Sequence, residues 1–342
     1  MTQSSRRNFV LSAAAAGAVF GLDKPLEFIG SAQAQKAGSG SGAGSGAAAA
    51  VAKPSLYDKG FTKFKVGDIE VTQIYDGVWA REHNPGFVKN ATLDQVKAGL
   101  KSAGLTDEHV PIPFTITVIK SKGKTIMFDS STGGQTGGPG AGKMMAGNMY
   151  AAGIEPSQIS TIIITHFHGD HISGMISKET NSQVFPDAKI IMPRAEYKYW
   201  TDPSLIQKLP EGARAGAQRI QSTFPFWRNI RQIDDGEEVA PGVRAVAAYG
   251  HTPGHTAYIV SSGRKQMMVS SDMTNIHQLF VKNPGWMAVF DVDGAMAEAT
   301  RRKLFDRAIA DKMIVTGYHW GMPGAGTISK DGNGYAFVPV KV

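Results

Sequence analysis

Apolar positions recur along residues 61–79 as Phe61, Phe64 and Val66, then Ile69, Val71 and Ile74, on either side of Gly67-Asp68. Alternation around a Gly-Asp pair reads as a β-hairpin. Two further strands, Pro113 to Ile119 and Lys124 to Phe128, flank Ser121-Lys122-Gly123. Thr161-Ile162-Ile163-Ile164 is a continuous apolar run of the kind a fully buried strand shows, and Lys189 to Met192 reads the same way. The second half carries strand patterns over 236–248 and 256–269, with turns at Pro241-Gly242 and Ser262-Gly263, and ends in strands near Thr327 and Tyr335 to Val340. Helical patterns fall near 93–100, 143–152, 172–177, 195–200 and 203–222. Asp293 caps another helix that runs to about Asp311, with Met296, Leu304, Phe305, Ala308 and Ile309 on its apolar side. Two runs of strands, each with following helices, suit an α/β fold of four layers, an αββα sandwich over residues 56–342.

Composition narrows this picture. The 342 residues, 42% of them hydrophobic, support a sizeable core in one large or two small domains. The formal charge is +7. No stacked aromatic–basic pattern accompanies it, so it reads as surface solubility with some attraction for anionic substrates, and no nucleic-acid partner is expected. There is no cysteine, so any metal must be held by nitrogen and oxygen.

The N-terminus reads as an address. Ser5-Arg6-Arg7-Asn8-Phe9-Val10-Leu11 matches the twin-arginine export pattern, and Ala32-Gln33-Ala34 is a small-x-small cleavage site. Residues 1–34 are therefore expected to be an export signal and the protein periplasmic. The apolar stretch Val10 to Leu22 is too short for a stable membrane anchor. Residues 35–55, rich in Gly, Ser and Ala, read as a disordered linker.

The candidate chemistry centres on Thr165-His166-Phe167-His168-Gly169-Asp170-His171, directly after the apolar run. Three imidazoles and a carboxylate in one tight loop are donors for Zn²⁺ and similar ions. Further candidates sit in turns or at the ends of short apolar runs: Gly250-His251-Thr252-Pro253-Gly254-His255, Ser270-Ser271-Asp272, and Gly317-Tyr318-His319-Trp320. Seven ligands drawn from these segments are enough for two ions with open positions. Asp129, after the strand at Lys124 to Phe128, is expected to hold a ligand in place rather than to bind metal. The Gly-rich run through Gly142 lacks a Gly-Lys-Ser/Thr ending, since Met144 follows Lys143, and reads as a mobile loop.

His-x-His-x-Asp-His, then Gly-His-Thr-Pro-Gly-His, then an Asp and a late His resembles the metallo-β-lactamase-fold hydrolases over roughly residues 60–342. Within them the chain looks most like the methyl parathion hydrolase (organophosphate hydrolase) group and its lactonase relatives. Ile164-Thr165-His166, the Gly250 to His255 segment and the tail Gly334-Tyr335-Ala336-Phe337-Val338-Pro339-Val340 carry that narrower likeness. The resemblance implies a metallo-β-lactamase-like sandwich and two divalent cations, Zn²⁺ first, with Co²⁺, Mn²⁺ or Fe²⁺ as alternatives. It places one ion on His166, His168 and His255 and the other on Asp170, His171 and His319. Asp272 bridges them, Asp170 and Asp272 serve catalysis, and His251 shapes its turn. A hydroxide shared by the ions would attack a small-molecule ester, lactone or phosphotriester; no Gly-x-Ser-x-Gly signal offers a serine nucleophile. Phe87, Trp200, Phe280 and Trp286 are expected to line an apolar mouth. His83, His109 and His277 read as surface histidines, with a pocket role also open to His277. A homodimer is compatible with the sequence. Two other readings compete: an iron-dependent dioxygenase on the same fold, and a non-catalytic periplasmic metal-binding protein.

Overall fold

A computed structural model describes residues 56–342; the export signal and the linker read from the sequence lie outside the described residues. Strands β1 (Phe61–Val66), β2 (Ile69–Arg81), β3 (Val110–Ser121), β4 (Lys124–Phe128), β5 (Ile159–Ile163), β6 (Lys189–Pro193) and β7 (Ile230–Ile233) form one sheet in chain order. Strands β8 (Glu238–Ala240), β9 (Val243–Ala247), β10 (Thr256–Ser262), β11 (Lys265–Ser271), β12 (Ile314–Gly317), β13 (Ala325–Asp331) and β14 (Gly334–Pro339) form the second. Pairing is antiparallel from β1 to β4 and parallel from β4 to β7. In the second sheet β11 and β12 are the parallel pair.

Side-chain alternation along each strand divides the core into layers. Ile126, Phe128 and Ile163 face inward between the sheets and meet Tyr258, Val260, Met267 and Val269 of the second sheet. Their sequence neighbours Met127, Ile162 and Ile164 face outward into a separate cluster with Met149, Trp200, Ala217 and Ile220 of the covering helices. On the other outer face, Ala257, Ile259 and Met268 pack against Leu304, Phe305 and Ala308 of helix Gly294–Ala310. The four-layer sandwich follows from this two-sided burial. No helix among the described residues is long and apolar enough to cross a membrane.

Two details depart from the sequence reading. Met296 stands 47% exposed, while Arg301 on the same helix is buried at 1%. The Arg301 guanidinium donates to the backbone carbonyls of Met273, Pro284 and Trp286, so a charged residue occupies a position that an apolar stripe would assign to a hydrophobe. The Gly-rich segment before helix Met145–Ala151 is tied down as well. The buried Asp76 carboxylate accepts from the amides of Met144 and Met145 and from the Ser131 hydroxyl.

Candidate metal centre

Five chain segments converge on one edge of the sandwich. The C-terminal ends of β4, β5, β11 and β12 deliver Asp129, the histidine loop, Asp272 and His319, and the turn before β10 delivers His251 and His255. Asp129 (φ 60°) and Ser271 (φ 47°) both sit in the left-handed region at strand ends. Non-glycine residues seldom adopt that conformation, and it tends to be kept where the surroundings demand it. Asp129 accepts from the Thr165 amide (2.8 Å), the Thr165 hydroxyl (2.8 Å) and the Ser271 hydroxyl (3.2 Å), locking the two strand ends together.

Inside this frame the ring nitrogens turn their protons outward. His171 Nδ1 donates to Asp129 Oδ2 (2.8 Å), His319 Nδ1 to the Pro113 carbonyl (2.8 Å), and His251 Nδ1 to Asp291 Oδ1 (2.9 Å). Their Nε2 atoms, each a bare lone pair in that tautomer, point inward. His251 Nε2 lies 3.0 Å from His168 Nδ1 and 3.4 Å from Asp272 Oδ2. His166 Nε2 lies 3.1 Å from His168 Nδ1. His171 Nε2 is 3.3 Å from Asp272 Oδ1 and 3.5 Å from Asp170 Oδ2; His319 Nε2 is 3.1 Å from Asp272 Oδ2 and 3.4 Å from Asp170 Oδ2. Three groups have donor atoms within 4.8 Å of one another: His166/His168/His251, His166/His171/Asp272 and Asp170/His171/His319. Buried His171 Nε2, His255 Nε2 and Asp272 Oδ1 have no hydrogen-bond partner. So many imidazole nitrogens and carboxylate oxygens crowded into one buried volume, some of them without a hydrogen-bond partner, are a donor set that fits divalent cations.

The electrostatics of the two ends differ. Burial and the neighbouring imidazoles hold His166 and His168 well below the usual histidine range. Burial also pulls on His171 and His319, but the carboxylates of Asp272 and Asp170 outweigh it and raise both. Asp272 is itself buried, which opposes ionisation, yet His319 and His171 hold it well below the usual carboxylate range. The acidic end therefore favours protons on His171 and His319 that a cation would displace, whereas burial disfavours them on His166 and His168.

The structure brings His251 into the first group, a place that the sequence reading gave to His255. The His255 Nδ1 donates to the Ala248 carbonyl at 3.0 Å, and its ring lies 5.1 Å from His166, outside the three groups. Burial and nearby His251 depress it to about 3. The glycines of the motif explain the turn. A Cβ on Gly250 (φ 126°) would lie 2.2 Å from the Ala297 amide, and one on Gly254 would lie 2.0 Å from the Glu196 amide. The turn is thus pressed between helices Gly294–Ala310 and Arg194–Thr201, where only glycine fits.

Glu196 was not foreseen. Its fully buried carboxylate accepts from the amides of Phe167 (2.9 Å) and Gly254 (2.8 Å), the Trp200 indole (2.6 Å) and the Thr252 hydroxyl (2.8 Å). Burial pushes its pKa up, but three of the four partners are N–H groups that cannot accept a proton, so the anion is the form these contacts suit. Asp291 was missed too: it orients His251 and lies 3.6 Å from Arg301.

The expected aromatic mouth divides. The Trp200 ring sits 6.2 Å from His168, beside the cluster. Phe87 and Phe280 are 1% and 0% exposed and pack edge-to-face at 6.1 Å in a satellite core with Leu100 and Leu279, with Trp286 against it. Phe87 and Phe280 thus present no open face to a substrate, whereas Trp286 is partly buried. His277 is not a surface histidine: its ring packs 4.6 Å from Phe337 and 5.8 Å from Trp320. His168 and Asp170 are the partly exposed members of the cluster.

A four-layer sandwich with His and Asp donors gathered at one strand edge defines a class of metal-dependent hydrolases. A model of the metallo-beta-lactamase superfamily matches residues 113–304, more than half of the chain, and the chain belongs to that superfamily. An N-acyl homoserine lactonase of a Bacillus species is 27% identical over 152 residues, 44% of this chain and 52% of that protein. A probable metallo-hydrolase of Mycobacterium bovis is 29% identical over 126 residues, 35% of this chain and 38% of its own. The chain thus spans about half the length of the curated lactonase it matches. Among solved structures, AidC, a dizinc quorum-quenching lactonase in complex with a homoserine product, superposes with a TM-score of 0.73 at 24% identity, covering 83% of this chain and 98% of that one. AbOPH, a hydrolase of the beta-lactamase superfamily, gives 0.75 at 24% identity with the same coverage. These likenesses establish the fold.

Proposed function

We propose that the chain is a dinuclear metallohydrolase that opens lactones of the acyl-homoserine type, with phosphotriesters and aryl esters as further substrates. One observation carries it: His166, His168, His251, Asp170, His171, His319 and Asp272 direct inward-facing lone pairs at a single volume, with Asp272 reaching both ends. The nitrogen and oxygen set, with no thiolate, suits zinc. When bound, a pair of such cations supplies a nucleophilic hydroxide at neutral pH and polarises the scissile carbonyl or phosphoryl group. The chain's part is to fix that arrangement and admit substrate on the side of His168 and Asp170. The lactone preference draws on the likeness to curated lactonases.

The test is metal analysis of the purified protein joined to hydrolysis assays on an acyl-homoserine lactone, methyl parathion and an aryl ester. Two equivalents of metal with lactone turnover are expected. Two equivalents with no turnover on any of the three would remove the substrate claim; bound iron with oxygen consumption would replace hydrolysis by redox chemistry. The twin-arginine pattern supports a periplasmic address. Replacing Arg6 and Arg7 by lysine should retain the protein in the cytoplasm, and unchanged fractionation would refute the route.

A further inference from the structure

We propose that Glu196 is a positioning residue that sets one half of the metal centre, the His166–His168–His251 half, independently of the other; this rests on the dinuclear reading above. Phe167, whose amide Glu196 holds at 2.9 Å, lies between His166 and His168. Thr252, whose hydroxyl it holds at 2.8 Å, directly follows His251, and the Gly254 amide is held at 2.8 Å. One carboxylate therefore pins the histidine loop to the Gly-His-Thr-Pro-Gly-His turn. The nearest other backbone tie is one hydrogen bond, from the Thr256 amide after the turn to the Thr165 carbonyl before the loop at 3.0 Å; β10 otherwise pairs with β9 and β11 of the other sheet.

The second half hangs on a different frame. His171 is held by Asp129, His319 by the Pro113 carbonyl, and the Asp170 carbonyl accepts from the Tyr318 hydroxyl at 2.6 Å. The four hydrogen bonds of Glu196 reach none of these residues. In Glu196→Gln one oxygen becomes an NH₂: on the Phe167 side it faces two N–H donors, and on the Thr252 side the hydroxyl can accept from it but the Gly254 amide cannot. At least one of the four bonds is lost in either orientation, and an N–H is pushed away where the loop and the turn must stay close. His251 then shifts relative to His166 and His168, while Asp170, His171 and His319 keep their places. Loss of a partner that orients metal ligands typically lowers metal affinity about 10–100-fold.

The experiment is a chelator titration of the zinc-loaded full chain, reading metal stoichiometry and the dissociation of each equivalent, together with the thermal midpoint. Glu196→Gln should release one equivalent about 10–100-fold more readily and keep the other at wild-type affinity. Trp200→Phe, which removes the indole donor but neither segment-joining contact, should keep both equivalents tight. If Glu196→Gln does not fold, Thr252→Val carries the same split at smaller amplitude. Equal weakening of both equivalents, or a lowered thermal midpoint with both affinities unchanged, would overturn the proposal. A wild-type protein that binds fewer than two equivalents would instead fail the dinuclear reading and remove the premise of separate halves.

Discussion

Exchanging each histidine of the Gly-His-Thr-Pro-Gly-His turn for alanine separates a ligand from a support. His251 offers Nε2 at 3.0 Å from His168 Nδ1 and 3.4 Å from Asp272 Oδ2. Its removal leaves the first half with two imidazoles and a shared carboxylate. Losing an orienting partner alone costs about 10–100-fold in affinity, so His251→Ala should cost at least about 100-fold, or about 2.7 kcal/mol, at one equivalent. The His255 imidazole makes one hydrogen bond, to the Ala248 carbonyl at 3.0 Å. Removing it strands a buried acceptor, which costs about 1–3 kcal/mol of folding stability and leaves the inward lone pairs in place. His255→Ala should thus hold two equivalents and melt a few degrees lower. Metal analysis after dialysis against a graded chelator, with thermal unfolding of both variants, gives the answer. A His255→Ala protein that loses an equivalent while His251→Ala keeps both would refute the assignment.

Other substitutions probe the remaining contacts. Asp272→Ala should weaken both equivalents, because Asp272 faces His171 at 3.3 Å and His251 at 3.4 Å; metal content equal to wild type would exclude a bridging role. Asp129→Asn should weaken the Asp170–His171–His319 half most, by about 10–100-fold, since Asp129 orients His171 at 2.8 Å, and should reach His166 less directly through Thr165; chelator titration reads the two losses. His277, buried against Phe337 and Trp320, has its pKa depressed to about 4. The unfolded chain, with an ordinary histidine near 6.5, binds more protons between those values, so stability falls as pH drops through that window. The loss is about 2 kcal/mol between pH 8 and pH 5. Urea unfolding of His277→Gln should lack that component, and an unchanged pH slope would count against the burial argument.

The positions of the metal-centre segments were legible in the sequence because strand periodicity and loop position are local properties. An apolar run at 161–164 followed by His166, His168, Asp170 and His171 must place those side chains beyond a strand end. Asp129 was legible for the same reason. The choice between His251 and His255 was not. Both lie in one turn, and which ring points inward is set by Asp291 and the Ala248 carbonyl, together with the 126° φ at Gly250 that lets the turn enter between two helices. Glu196 was hidden because an acid in the first turn of a helix ordinarily faces solvent; only tertiary structure brings four donors to it. Phe87 and Phe280 misled for the opposite reason: aromatic character does not reveal whether a ring lines a cavity or fills a core.

The way the donors are held also bears on stability. Three of the inward nitrogens, those of His171, His319 and His251, are aimed by outward contacts from different elements: Asp129 at the end of β4, Pro113 in β3, and Asp291 in the segment before helix Gly294–Ala310. Bringing that many acceptors into one buried volume opposes folding, because their desolvation is not offset by hydrogen bonds among themselves. The packed layers on either side of both sheets must supply the difference. A cation removes the opposition directly, and its binding free energy adds to folding free energy because the unfolded chain has no preformed site. A bound metal would therefore act on the molecule in two ways: it would complete the chemistry at the rim, and it would draw together strand ends that the hydrophobic core positions but whose polar groups resist being buried there. Binding at the end carrying Asp170 would also displace protons from His171 and His319, whose pKa values the neighbouring carboxylates raise.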